Sequence, residues 1–254
     1  MAGKPPKSRE PLPPFVEPSF YFVKPSTHDA LLAVVRHLVD RGAHIIDGIL
    51  GELGDADAIA DLKFSFVERI AVGDMSDLQS IQAEAGRAIA DVTLADVGPG
   101  SAGRNVIVRA LSIPEAAVGT DHHPISIACD GRAFEPYMSP VQRKRAARDV
   151  LTFFTTLVSA LRPSYGAIMF EYPLPSPYEV AERPDGFEFA DCYLSKDYLD
   201  DSITKHASNL RENGQWIDIA DGAIILTSGV FAKQTEVDGL PALAAMSIVR
   251  ASAT

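Results

Sequence analysis

The stretch WIDIADGAIILTS, Trp216 to Ser228, decides how the chain is read. Ile217 and Ile219 alternate with Asp218, and an apolar run from Ala223 to Leu226 follows. Between them, Asp221-Gly222 is a pair that tolerates the positive φ of a type I′ turn, so the spacing predicts a tight hairpin. Strands joined by so short a turn must run antiparallel. VTLADV (92–97) and RNVIVRAL (104–111) flank the glycine-rich GPGSAG in the same way and predict a second hairpin.

Further strands are expected in SFYFVKP (19–25), AHIIDGIL (43–50), LKFSFVERIAV (62–72), HPISIAC (123–129), YGAIMFEY (165–172), FEFADCYL (187–194) and LAAMSIVRA (243–251). In the third of these Phe64, Phe66 and Ile70 alternate with polar residues, as in a half-buried strand.

Helices announce themselves by their caps. Ser26 with Asp29 opens one, its face formed by Leu31, Leu32, Val35, Leu38 and Val39, and Gly42 closes it. Ser76 with Gln79 predicts a second, with Leu78, Ile81, Ala85 and Ile89 on its apolar face. The strongest signal is Ser139-Pro140 with Gln142: a capping box with proline at the first helical position. That helix should reach Leu161 and bury Val150, Phe153, Phe154, Leu157 and Val158. A weaker helix is expected over 202–211, and LPSPYEVAERPDG (174–186) reads as a proline-rich loop.

Strands and helices mix without strict βαβ alternation. The expected class is α+β: a mostly antiparallel sheet with helices packed on one face. Residues 1–18 carry six of the 18 prolines and read as a flexible arm. The remainder, 19–254, reads as a single domain. Strand-helix-strand units on either side of residue 135 leave room for two similar lobes, 19–135 and 136–254.

The formal net charge of -11 repels phosphates at long range, so no nucleic-acid partner is expected. Two cysteines, Cys129 and Cys192, sit in apolar contexts and are expected as buried free thiols of a cytoplasmic protein. No apolar run reaches the ~18 residues of a membrane span, and the N-terminal stretch has no apolar signal region. No motif calls for a cofactor.

Four groups of residues are candidates for chemistry. Asp121-His122-His123 is the densest set of metal-ligating types. The triplet resembles the signature of the DHH phosphoesterases, and the resemblance implies divalent metal and phosphate-ester cleavage. It covers three residues: the family's upstream aspartate pair has only Asp55-Ala56-Asp57 as its analogue, after no apolar strand. Pro124 pushes His123 toward an extended conformation, and neighbouring strand histidines point to opposite faces. A polar turn, with no metal, is the competing reading.

Second, Arg143, Lys144, Arg145 and Arg148 crowd the start of the long helix. Cations there oppose the helix dipole, so the cluster is a candidate site for an acidic protein, a small molecule or a phosphorylated ligand. Third, Glu171 and Asp191 end or begin apolar strands, where carboxylates can share acid–base work. Fourth, Trp216, the single tryptophan, is either a packing residue or an anchor for a partner. No serine stands in a G-x-S-x-G elbow, and Cys192 has no catalytic context.

With no complete catalytic motif, the leading reading is a non-enzymatic protein-binding module of the toxin-neutralising, immunity type, engaging its partner through an acidic surface and an open sheet face or cleft. The alternative is a metal-assisted hydrolase working from Asp121, His122 or His123, with Glu171 as base. Metal content of the untagged protein separates them. The binding reading expects a metal-free protein whose stability is unchanged in His122→Ala; near-stoichiometric metal, lost in that variant, would put the hydrolase first.

Overall fold

A computed structural model describes residues 14–52, 66–81, 87–100, 104–110, 124–171, 174–183, 189–232 and 239–252. Among them ten strands form one sheet: β1 (Phe15–Tyr21), β2 (His44–Glu52), β3 (Phe66–Ile70), β4 (Arg87–Ala95), β5 (Asn105–Arg109), β6 (Ile125–Asp130), β7 (Tyr165–Phe170), β8 (Asp191–Ser195), β9 (Trp216–Ile219) and β10 (Gly222–Leu226). The order is β3-β2-β4-β5-β6-β1-β7-β8-β10-β9, and every pairing is antiparallel. The helices are α1 (Thr27–Asp40), α2 (Met75–Ile81), α3 (Pro140–Leu161), α4 (Pro177–Glu182), α5 (Asp201–Thr204), α6 (Ala207–Glu212) and α7 (Leu240–Ser252). The α+β class with an antiparallel sheet is therefore observed, and one sheet crosses residue 135.

The first face of the sheet carries Val92, Leu94, Val106, Val108, Ile125 and Ile127, covered by α1, α2 and α3. Phe154 of α3 stacks on Phe20 of β1, ring centroids 5.4 Å apart. The later helices differ from the expected arrangement: α4 to α7 cover the second face, over Ala167, Cys192, Leu194, Ala223 and Ile225. The reason lies in the strands. β8 is buried from Asp191 to Leu194 and β10 along its whole length, so this half of the sheet needs cover on both sides.

The cap of α3 forms as expected. Ser139 Oγ accepts from Gln142 N, and Gln142 Oε1 accepts from Ser139 N at 3.1 Å. α1 ends as expected too: Gly42 has φ +99, and the amides of Gly42 and Ala43 donate to the carbonyls of Val39 and Leu38.

Several local expectations are corrected. The 216–228 hairpin exists, but Gly222 pairs with Ile219, so the two loop residues are Ala220 and Asp221. Neither Asp221 nor Gly222 has positive φ, and the turn is not type I′. The glycine serves a different need: a Cβ at Gly222 would stand 2.1 Å from the Leu194 carbonyl oxygen. α2 is capped by Asp74, which accepts from the amides of Ser76 and Asp77, and Ile89 belongs to β4 rather than to that helix. The expected C-terminal strand is α7; its buried Leu240, Ala244, Ala245, Ser247 and Ile248 follow helical spacing. The expected loop over 174–186 contains α4, with its own capping box between Ser176 and Glu179. The helix expected over 202–211 is split into α5 and α6. β1 starts at Phe15, inside the stretch expected as an arm.

Gly222→Ala is expected to lower stability by about 1–3 kcal/mol, the range for a side chain forced into a packed site. The midpoint of urea unfolding measures it; an unchanged midpoint would mean that β8 and β10 tolerate separation.

Candidate functional site

α3 presents its first turns to solvent. Arg143, Lys144, Arg145 and Arg148 are all exposed. Arg148 Nη2 lies 3.3 Å and Arg145 Nε 3.9 Å from the Asp149 carboxylate. Beside them stand two large apolar side chains: Tyr137, in the turn before the helix, is 75% exposed and Val141, on its first turn, 77%. Spacing alone marked the cations; Tyr137 and Val141 escaped because exposure is not written in residue type. The signal available was Val141 itself, which lies outside the stripe of Val150, Phe154 and Leu157.

A groove of about 350 Å³ runs beside this surface, with Phe134, Met138 and Val150 among its apolar lining and Arg104, Asp130 and Gln142 among its polar one. Asp130 is held by Arg132, whose Nε lies 3.0 Å from each carboxylate oxygen. The Arg132 bonds keep the Asp130 carboxyl below the usual range, against the burial that would raise it.

On the second face a different cluster forms from four central strands. Asp91 of β4 pairs with Arg109 of β5, Arg109 with Ser126 of β6, and Ser126 with Ser19 of β1. Glu17, two residues from Ser19, shares its face. Arg109 lies 3.6 Å from Glu17 and 3.8 Å from Asp91, and its guanidinium stands 5.2 Å from the centre of the Phe15 ring. Burial raises the Asp91 carboxyl to about 6, more than Arg109 lowers it. Burial raises Glu17 as well, with Asp91 and Glu171 adding repulsion. Sequence reasoning missed this cluster, because only the order β4-β5-β6-β1 brings its residues together.

The other candidates are placed as follows. Asp191 is buried, and its Oδ1 accepts from the amides of Thr227 and Ser228, each at 3.2 Å. Burial raises its pKa, with those bonds opposing. Glu171 is exposed, just past β7, with φ +59. Asp191 thus fastens the end of β10 to β8, while Glu171 contributes charge near Glu17. Trp216 is buried in the second core; its Nε1 donates to Asp218 at 2.9 Å, and Arg211 lies 5.2 Å from the centre of its ring. Both cysteines are free and buried, and burial raises both thiols, Cys192 to about 12.

Asp121-His122-His123 and Asp55-Ala56-Asp57 lie outside the described residues. Among the described residues no group of three or more His, Cys, Asp or Glu is placed to hold a metal ion. Among them, too, no helix is long and apolar enough to cross a membrane.

The fold and these surfaces define an α+β protein with an open helix start. No family model matches the chain, and no curated protein does. Among solved structures, the Pseudomonas aeruginosa T6SS protein PA0821 is weakly similar: 12% identity and a TM-score of 0.43, over 93% of this chain and 83% of that one.

Asp91 makes the fold sensitive to pH. Its folded pKa is raised from 3.8 to about 6, so its stabilising share is complete below the unfolded pKa and is lost as pH rises through about 6. Between pH 4 and pH 7.5 that loss amounts to roughly 2–3 kcal/mol. Asp91→Asn is expected to flatten the decline in a series of urea melts; Glu17, shifted the same way, keeps part of it. A wild-type curve that rises over this range would contradict the placement of the cluster.

Proposed function

We propose that the chain is a non-enzymatic protein-binding module whose contact surface is the start of α3. The observation that carries the reading is the exposure of Tyr137 and Val141 beside Arg143, Lys144, Arg145 and Arg148. Aromatic and arginine side chains are the residues enriched in protein interfaces, the aromatic ring supplying area and the guanidinium geometry. Arg143, at the end of the first turn, also sits where the helix dipole disfavours a cation, at a cost of roughly 0.3–1 kcal/mol. An acidic partner surface reverses that cost.

The partner is a protein with an acidic face, met in the cytoplasm. In its most specific form the reading is a toxin-neutralising one: the partner is a toxin, and the complex covers its working surface. The product of a neighbouring gene is the first partner to test. The acidic remainder of this chain then keeps the module soluble and disfavours nucleic acid.

A photo-cross-linking residue in place of Val141, in the full chain within its native cell, should capture one partner; the same residue in place of exposed Tyr178 should not. Val141→Asp combined with Arg143→Glu should weaken that complex about tenfold or more while the thermal midpoint stays put. Equal capture at both positions, or a complex indifferent to the double substitution, would overturn the reading.

A further inference from the structure

The groove beside the start of α3 has a largely apolar lining, with Phe134, Met138, Ala146 and Val150 in it. Its charged lining is closed on itself. Asp130 is met by Arg132 and also feels Arg104, and Asp149 is met by Arg145 and Arg148. Within the lining Arg104 and Arg145 thus balance Asp130 and Asp149. An ionic occupant gains little there: it would lose its water to meet groups that already have an opposite charge beside them. A neutral, apolar occupant gains by leaving water. At about 350 Å³ the groove stands at the low end of the range for sites that enclose a whole small molecule. It has room for one large side chain.

Phe134 ties the groove to further apolar surface. Its ring stands edge-on to Phe170, at the end of β7, with centroids 5.2 Å apart. Phe231 lies 6.3 Å from Phe134 and 6.4 Å from Phe170. All three rings are half-buried, and Val230, next to Phe231, is exposed. Two other residues of the lining, Met138 and Gln142, are the chain neighbours of exposed Tyr137 and Val141. The surface therefore has an apolar, aromatic middle, with Arg143, Lys144 and Arg148 exposed at its rim. An apolar centre with a polar rim is the anatomy of a protein interface, and contiguous apolar surface marks an interaction site.

We propose that the groove takes one large apolar side chain of the partner protein, packed against Phe134 and Met138 and flanked in the partner by carboxylates that meet Arg143 and Lys144 at the rim. This rests on the protein-binding reading above and names the partner's anchor. Charge selects the occupant: the self-balanced lining matches a neutral side chain, and the cationic rim matches an acidic flank. A second copy of the chain is the wrong occupant. A two-fold contact here would set Arg143, Lys144, Arg145 and Arg148 against the same four residues.

The test is a phage-displayed random heptapeptide library selected against the intact chain. Enriched peptides should share one large apolar residue (Trp, Phe, Leu or Met) beside Asp or Glu. Replacing that residue with Ala in the synthetic peptide should weaken binding about tenfold or more. Ala146→Trp, which fills the groove from α3, should do the same. Photo-leucine in place of Met138 should cross-link to the peptide at its apolar position. Arg143→Glu with Lys144→Glu should weaken binding more at low salt than at high. Winners without a shared apolar residue, or no enrichment at all, would overturn the proposal. So would binding indifferent to Ala146→Trp at an unchanged thermal midpoint. Should that variant lose its midpoint, the Met138 cross-link decides, and attachment elsewhere on the peptide overturns the proposal. Dimerisation of the chain abolished by Ala146→Trp would also overturn it, by making a second copy the occupant. A partner captured through Val141 whose complex ignores Ala146→Trp defeats the groove alone; equal capture at Val141 and Tyr178 defeats the protein-binding reading.

Discussion

β1 sits between β6 and β7 and joins the two halves of the sheet. It pairs with β7 through six consecutive residues, from Val16 to Tyr21. Its pairing with β6 lapses at Glu17 and Pro18, where proline has no N–H to give. The joint is tight: a Cβ at Gly166 would lie 2.6 Å from the Ser19 carbonyl oxygen. Alternation along this one strand feeds both cores. Val16 and Phe20 enter the first, and Tyr21, stacked on Tyr165 at 5.0 Å, enters the second. Both pairings close more than a hundred residues of chain, as in the Ser19–Ser126 hydrogen bond. Such closures are slow to form, although their entropy grows only with the logarithm of length.

The same strand marks a change in the second face. On the β7 side that face is apolar and carries α4 to α7. On the β6 side it is polar, with Ser19, Ser126, Glu17, Arg109 and Asp91 in neighbouring positions. Arg109 reaches both carboxylates only at 3.6 and 3.8 Å, so the cluster is loosely paired. Removing carboxylates from water costs more than such contacts return, which is why burial raises both pKa values. The cluster therefore adds little to stability at neutral pH, and the apolar cores bear that load.

What could be read from the sequence divides by range. Caps are local grammar: Ser139-Pro140 with Gln142, and Gly42 after α1, were legible because their partners lie within four residues. The same grammar stands at Ser176-Pro177 with Glu179, yet the surrounding prolines disguised α4 as loop. The 240–252 segment is apolar enough to suit a strand or a helix, and only its packing against α4 and α5 decides. Asp221-Gly222 was legible as a hairpin but not as a turn type, because Gly222 is required by the Leu194 carbonyl across the sheet. The Asp91–Arg109–Glu17 cluster was invisible for the same reason at greater range. The basic run of α3 was visible; its apolar neighbours and the groove beside it were not.

Why α3 should carry the contact surface follows from its mechanics. It has the firmest local signals in the chain: a reciprocal cap, proline at its first position and 22 residues of length. Phe154, Leu157 and Val158 fix its buried face to the sheet. Its exposed face is therefore held in one orientation, so that under the proposed contact binding would order side chains rather than backbone. The start of the helix breaks the rules the rest of it obeys: Arg143 stands in the first turn at the positive end of the dipole, and Val141, with Tyr137 in the turn before it, lies in water. Local choices that lower stability on an otherwise consistent element are expected where a surface serves a partner rather than the fold.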